Sequence, residues 1–112
     1  MSAVDVVQRQ VDAYNDRDLA RFVAQCSDTI TVHRLPAPEP RLAGKAQFAE
    51  FYAKQRFSAP GLRAEVLQRM ILGNKVIDHE RIFGLPESPF EIVVAYEVRD
   101  GLIQRMWSFS PE

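Results

Sequence analysis

The sequence contains few residues of several types, and each scarcity excludes some classes of structure or function. It contains one cysteine, Cys26, in 112 residues, so no disulfide can form within the chain, and a reducing cytoplasm is the expected compartment. Cys26 is either a nucleophile or a small buried apolar residue, and no candidate base stands beside it in the sequence. Neither sign of charge is in excess, since 14 Lys and Arg residues stand against 15 Asp and Glu residues. A nucleic acid partner is therefore not expected.

Long apolar runs and metal-binding motifs are also missing. No apolar stretch approaches the length of about 18 residues that a membrane span requires, and residues 1–10 lack the pattern of a signal peptide. The chain has two histidines, His33 and His79, and no histidine or cysteine spacing typical of a zinc site. We therefore predict a cytoplasmic protein without a membrane partner, and the sequence implies neither a metal nor another cofactor.

The sequence does contain one clear change of periodicity, from helical to alternating. Apolar residues recur every three or four positions in three segments, which predicts helices over residues 4–15, 19–26 and 45–57. Alternation predicts strands over residues 29–35, 62–72, 75–84, 90–99 and 102–110. Tight turns are expected at Gly73-Asn74 and Asp100-Gly101, and a proline-containing loop after Leu35. The chain is thus predicted to be one α+β domain, residues 1–112, with three helices packed on a curved, mostly antiparallel sheet that encloses a pocket.

Several short motifs carry a family resemblance that covers nearly the whole chain. They are Tyr14-Asn15-Asp16-Arg17-Asp18-Leu19, Gly44-Lys45, Phe51-Tyr52-Ala53, Tyr96-Glu97-Val98 and Asp100-Gly101-Leu102-Ile103. Together they resemble the nuclear transport factor 2-like superfamily, in its SnoaL-like and ketosteroid-isomerase-like branch. The resemblance implies a cone-shaped domain with a ligand pocket. This superfamily includes isomerases, cyclases, hydrolases and binding modules, so the reaction has to be argued from individual residues.

Two known chemistries of the superfamily lack their carboxylates here. Where the resemblance places the tyrosine and two aspartates of ketosteroid isomerases, this sequence has Gln10, Arg34 and Ala95. Arg34 cannot abstract a proton from carbon, because a guanidinium stays charged. The limonene-epoxide-hydrolase-like arginine is retained as Arg81, but its aspartate partners fall on Phe83 and Ser108. The expected function is therefore an isomerase, cyclase or hydrolase of another type, or a non-catalytic ligand-binding or dimerisation module.

The resemblance also indicates which residues would face the pocket. On strand 75–84 these are His79 and Arg81, with Asp78 and Glu80 pointing outward by alternation. The expected ligand-binding residues, suited to a small apolar or carbonyl-bearing ligand, are Gln10, Tyr14, Arg34, Tyr52, Phe83, Ala95, Met106 and Ser108.

Each candidate site residue has a functional and a structural interpretation. His79 is the expected general acid or base, because its charge changes near neutral pH, or it is a histidine hydrogen-bonded within the sheet. Arg81 binds an anionic group of the ligand or is paired with a carboxylate of the protein. Tyr14 and Tyr52 donate to a ligand carbonyl or are core aromatics.

The opposite face of the sheet is predicted to be rich in large apolar residues. They are Ile92, Val94, Tyr96, Val98, Ile103, Trp107 and Phe109, together with Arg105. Such a face needs a cover, and the resemblance implies a homodimer that buries Tyr96, Trp107 and Phe109. The alternative is that some of these residues pack against the third helix.

Overall fold

The structure, a computed structural model, describes residues 2–111 and confirms the α+β prediction. The helices are α1 (Ala3–Asn15), α2 (Leu19–Ala24) and α3 (Lys45–Gln55). The strands are β1 (Cys26–Arg34), β2 (Pro40–Ala43), β3 (Arg63–Leu72), β4 (Lys75–Phe83), β5 (Phe90–Arg99) and β6 (Leu102–Phe109). No helix among these residues is both long and apolar enough to cross a membrane.

The first two helices begin where the sequence offers side-chain caps. Ser2 and Asp5 form a capping box, in which the Ser2 hydroxyl accepts from the Asp5 amide and the Asp5 carboxylate accepts from the Ser2 amide. The Asp18 carboxylate accepts from the Arg21 amide at the start of α2. These caps set the first residues of the two helices, both of which contribute side chains to the cavity described below.

One mixed sheet of six strands carries the helices on a single face. The strand order is β2-β1-β6-β5-β4-β3, and every neighbouring pair is antiparallel except β1 and β6, which are parallel. Helix α1 packs on β3 to β6, and α3 packs on β1 and β2. The sheet curls around these helices, so its concave face and the helices form the walls of one interior.

Two strands, β2 and β1, differ from the sequence prediction by more than two residues. The proline-containing loop includes the short strand β2, in which only Leu42 is buried; proline is tolerated there because β2 is an edge strand. Strand β1 begins at Cys26 rather than residue 29, because Cys26 pairs with Ile103 and the Ile103 amide donates to the Gln25 carbonyl. Cys26 is fully buried.

An aromatic cluster centred on Phe22 joins the three helices. Its ring centroid lies 5.7 Å from that of Tyr14, 5.5 Å from Phe48, 4.7 Å from Tyr52 and 5.2 Å from Phe57. Aromatic pairs at these separations stabilise a fold beyond their buried area. The cluster leaves Tyr14 and Tyr52 as part of the cavity wall.

Gly84 allows the loop after α3 to lie against the end of β4. Gly84 has φ of +87°, and a Cβ on it would overlap the backbone of Gly61 and Leu62. Only glycine satisfies both the backbone conformation and the close approach.

Candidate functional site

A cavity of about 290 Å³ lies between the helices and the concave face of the sheet. Most of its wall is apolar, with contributions from Val11, Phe22, Val32, Leu42, Ile82, Ile92, Val94 and Met106. Its polar and charged lining residues are Gln10, Tyr14, Arg34, Arg41, Tyr52, Arg56, Glu80, Tyr96 and Ser108. An apolar cavity with a few polar groups is the usual form of a small-molecule site.

Strand β4 presents to this cavity the face opposite to the predicted one. The residues of β4 buried beneath the helices are Val76, Asp78, Glu80 and Ile82. His79 and Arg81 lie on the outer face, so the prediction that they enter the pocket is wrong. The acidic face of β4 can be buried because its carboxylates have hydrogen-bond partners inside the protein, which offset the cost of removing them from water.

The other predicted ligand-binding residues form two groups, those that line the cavity and those that do not. Gln10, Tyr14, Arg34, Tyr52, Met106 and Ser108 line the cavity, and their binding of a ligand stays a prediction. Phe83 and Ala95 do not line it: Phe83 shares the outer face of β4, and Ala95 pairs with Ile77 and Trp107, which also lie on that face. The missed signal was the composition of β5, whose more apolar face (Ile92, Val94, Tyr96, Val98) is turned inward.

Glu80 is the acidic residue of the cavity wall, and sequence reasoning had placed it outside. It is 5% exposed, and its Oε2 accepts a hydrogen bond of 3.1 Å from the Tyr96 hydroxyl. Within residues 2–111, Oε1 has no hydrogen-bond partner. Burial, and then the charge of Asp78, raise the pKa of Glu80 to about 7, against the opposing effects of the Tyr96 hydrogen bond and Arg69. Near neutral pH, both the acid and the carboxylate are populated.

Asp78 stands behind Glu80 and is held by an arginine. It is fully buried, and its two oxygens accept from Nε of Arg69 at 2.7 Å and from NH2 of Arg69 at 2.9 Å. Arg69 also donates to the side chain of Gln8 on α1, at 2.7 Å. The hydrogen bonds to Asp78 raise the pKa of Arg69. This bidentate pair therefore fixes a negative charge beside Glu80 and ties β3 and β4 to α1.

Two further tyrosines supply hydroxyl groups to the cavity. Burial raises the pKa of both Tyr14 and Tyr52 above the ordinary value of 10.0. Both hydroxyls stay protonated at neutral pH, so each can donate a hydrogen bond to a ligand oxygen. Burial likewise raises the pKa of the Cys26 thiol, to about 12, which leaves the thiol neutral and favours its structural interpretation.

The sequence matches one family over most of its length. A model of the SnoaL-like domain family matches residues 7–106. The chain belongs to the SnoaL-like domain family. A search of curated proteins found no match.

Solved structures share the fold of this SnoaL-like domain at low sequence identity. A Kribbella flavida protein, provisionally assigned as a ketosteroid isomerase, has a TM-score of 0.83 and 22% identity, over 98% of this chain and 78% of that one. A Sinorhizobium meliloti protein, provisionally assigned as a polyketide cyclase, has a TM-score of 0.79 and 19% identity, over 96% and 99%. An M. tuberculosis epoxide hydrolase, similar to limonene epoxide hydrolase, has a TM-score of 0.80 and 16% identity, over 96% and 81%. These likenesses confirm the nuclear transport factor 2-like fold and leave the reaction open.

On the outer face of the SnoaL-like domain, His79 and Arg81 share a carboxylate. Nε2 of His79 lies 2.6 Å from Oε1 of Glu91, and NH2 of Arg81 donates to Oε2 of Glu91 at 3.3 Å. The hydrogen bond from His79, and then that from Arg81, lower the pKa of Glu91. Both residues thus have the paired, structural arrangement that the sequence left open. Arg81 also lines an open groove beside Glu91 and Phe90.

No cluster suited to a metal occurs in the described part of this domain. Across residues 2–111, histidine, cysteine and carboxylate side chains nowhere gather in the groups of three that would hold a metal ion.

Proposed function

We propose that this SnoaL-like domain acts on a small molecule in its cavity, in a reaction of the isomerase, cyclase or hydrolase type, with Glu80 as general acid and base. The observation that carries the proposal is the position of Glu80: almost fully buried, on the cavity wall, with a pKa raised to about 7. A general acid–base group is most effective when its pKa lies near the working pH. Perturbed carboxyl groups in clefts are typical of active sites.

The neighbouring groups determine which oxygen of Glu80 transfers the proton and where negative charge is stabilised. The Tyr96 hydroxyl holds Oε2, which leaves Oε1 to exchange a proton with the substrate. As a carboxylate, Glu80 takes a proton from carbon or from water; as an acid, it returns one. Tyr14 and Tyr52 can donate hydrogen bonds to an oxygen that becomes negative during the transfer. The apolar wall excludes water, which strengthens each of these interactions.

A suitable test uses 5-nitrobenzisoxazole, a small apolar probe with an acidic carbon-bound proton. Proton transfer from its ring carbon to Glu80 breaks the nitrogen–oxygen bond and releases a coloured cyanophenolate, so every turnover is visible. We expect the protein to accelerate this elimination with a rate that rises with pH around 7. Glu80→Gln should lower the rate by about 100-fold, the usual contribution of a positioned base.

The matched control is His79→Ala, which removes a titratable residue of the same strand from the outer face. We expect its rate to equal that of the unmodified protein. If Glu80→Gln retains the full rate, Glu80 is not the base. If the probe binds without any acceleration, the chain is a ligand-binding module instead.

We also propose that the domain forms a homodimer through the outer face of the sheet. All three helices pack on the other face. The outer face carries a half-buried Trp107, stacked with His33 at 6.0 Å between ring centroids, and Phe109, which is 44% exposed. Tyr96, the third residue predicted for this interface, is 2% exposed and lines the cavity, so that part of the prediction is wrong. A partner that covers Trp107 and Phe109 would bury the apolar centre of this face.

Sedimentation analysis tests the dimer directly. We expect a dimer for the unmodified chain and a monomer for Trp107→Glu, because the substitution places a charge at the centre of the interface. Leu72→Glu is the control, since Leu72 is 72% exposed at the end of β3. Dissociation by both variants, or by neither, would contradict an interface centred on Trp107.

A further inference from the structure

Three arginines from three separate elements line the cavity. Arg34 ends β1, Arg41 lies in β2, and Arg56 follows the last residue of α3. Arg34 and Arg56 also line the open groove outside the cavity, together with Phe90. Residues shared by an interior and a groove stand where the two meet. Arg34 and Arg56 therefore stand at the cavity mouth.

Among the residues that the structure describes, no carboxylate neutralises these arginines. Throughout residues 2–111, no Asp or Glu oxygen lies within ion-pair distance of Arg34, Arg41 or Arg56, whereas Arg21, Arg69 and Arg81 each have such a partner. NH2 of Arg34 donates to the Ser110 hydroxyl at 3.1 Å, and NH1 of Arg56 donates to the Gln55 carbonyl at 3.1 Å. A guanidinium has five N–H donors, so both keep several for a ligand.

Two of the three charges are held over one aromatic ring. The guanidinium carbon of Arg41 lies 5.7 Å from the centroid of Phe51, and that of Arg56 lies 5.2 Å from it. Both distances are within the range of cation–π attraction, which holds Arg41 beside the same ring as Arg56.

The charge of the cavity favours an anion as well. Counted over residues 2–111, its lining contains three arginines and one carboxyl group, Glu80, which is substantially protonated at neutral pH. The cavity is thus positive in a chain whose formal net charge is −1. A positive mouth on a nearly neutral protein attracts anionic ligands selectively.

We infer that the substrate carries a carboxylate, which Arg34, Arg41 and Arg56 bind at the mouth while its apolar body extends inward to Glu80. A planar carboxylate matches the fork of a guanidinium in a bidentate manner. A singly charged group also loses less hydration free energy than a phosphate dianion on entering an apolar cavity. The inference deepens the proposed function and rests on it for the reacting end of the substrate.

The test compares probes of one shape and different charge. Binding of 2-naphthoate, of the neutral 2-naphthamide and of 2-naphthyl phosphate is measured by calorimetry and by thermal shift. We expect naphthoate to bind more tightly than the other two. Arg41→Gln and Arg56→Gln should each weaken naphthoate about tenfold, the effect of losing one charged hydrogen-bonding partner, and leave naphthamide unchanged.

Arg99→Gln is the matched control, because Arg99 is exposed at the end of β5, away from the mouth. It removes the same charge and should leave naphthoate binding unaltered. Equal weakening in Arg99→Gln, equal binding of naphthoate and naphthamide, the absence of naphthoate binding, or a preference for naphthyl phosphate would each overturn the inference. Glu80→Gln separates the two proposals: it should lower the rate of the elimination reaction by about 100-fold while retaining the preference for naphthoate.

Discussion

The hydroxyl of Tyr96 and the carboxyl of Glu80 are joined by a 3.1 Å hydrogen bond across neighbouring strands, β5 and β4, on the wall of the cavity. The donor is a phenol whose own pKa is raised by burial, so it remains protonated and supports the carboxylate form of Glu80. Burial and the nearby Asp78 act in the opposite direction. The balance between these opposing effects sets the protonation state of Glu80, which the next two experiments measure.

Stability should depend on pH through Glu80. Its pKa rises from the ordinary 4.5 to about 7 on folding, so between these values the folded state binds more protons than the unfolded state. The free energy of unfolding therefore falls as pH rises through this window, by about 3 kcal/mol for this group, and is level above it. Glu80→Gln, which still accepts from Tyr96, should remove this fall and be the more stable form at pH 8.

Urea unfolding at a series of pH values measures this difference. Glu39→Gln provides the control, because Glu39 is exposed in the loop before β2 and its substitution should leave the pH dependence unchanged. A constant difference between the native chain and Glu80→Gln at every pH would show that Glu80 titrates normally.

Removal of the Tyr96 hydroxyl should raise the pKa of Glu80 further. In Tyr96→Phe the carboxylate loses the donor that favours its charged form, while burial and Asp78 remain. Carbon-13 NMR of the side-chain carboxyl group measures the midpoint. Tyr52→Phe is the comparison, since Tyr52 also lines the cavity but makes no hydrogen bond to Glu80 within the described residues. A downward shift in Tyr96→Phe would refute the assigned direction of the hydrogen bond.

The pair of Asp78 and Arg69 should be far more important for stability than the surface pairs. Asp78→Asn leaves the largely buried Arg69 without its carboxylate, and such losses destabilise a protein by about 3–5 kcal/mol. Glu97→Gln breaks the pairs with Lys75 and Arg105 on the outer face, whose basic partners are more exposed, and should destabilise by less than about 1 kcal/mol. Chemical denaturation of both variants provides the comparison; equal losses would contradict this ranking.

Alanine substitutions of Gly84 and Gly101 distinguish the free-energy cost of backbone strain from that of steric overlap. Both have positive φ, but a Cβ on Gly101 meets nothing within 4 Å, whereas one on Gly84 would overlap Gly61. Gly101→Ala should therefore destabilise by about 1 kcal/mol, the strain alone. Gly84→Ala should lower the free energy of unfolding by a further amount on the order of 2 kcal/mol, because the loop must move. Thermal unfolding of the two variants gives this difference, and similar losses would mean that the loop moves freely.

The class of fold and most element boundaries follow from local sequence patterns. Strand β5 occupies the predicted residues 90–99, and helix α3 begins at the predicted Lys45, because turn residues and periodicity are properties of neighbours in the chain. Strand β2 is missed because its proline and its single buried residue, Leu42, give no alternation to detect.

The face of β4 is not determined by local pattern. Each face combines apolar and charged residues: Val76 and Ile82 accompany two acids, and Ile77 and Phe83 accompany His79 and Arg81. Which set is buried depends on partners elsewhere in the chain, above all Arg69 for Asp78 and Tyr96 for Glu80. Hence six of the predicted lining residues are at the cavity, while the residue that we propose for catalysis had been placed outside it.

The parallel pairing of β1 with β6 has a consequence for the order of folding. Strands β3 to β6 form a meander in which each strand pairs with the next, whereas Arg34 of β1 pairs with Ser108 of β6, about two-thirds of the chain away. Contacts of long sequence separation form slowly, since the chain must lose more entropy before they are made. We therefore expect the meander to assemble first and β1 to join it last. Arg34 reaches the cavity only in that final step, so the competence to bind a ligand would arise with completion of the fold.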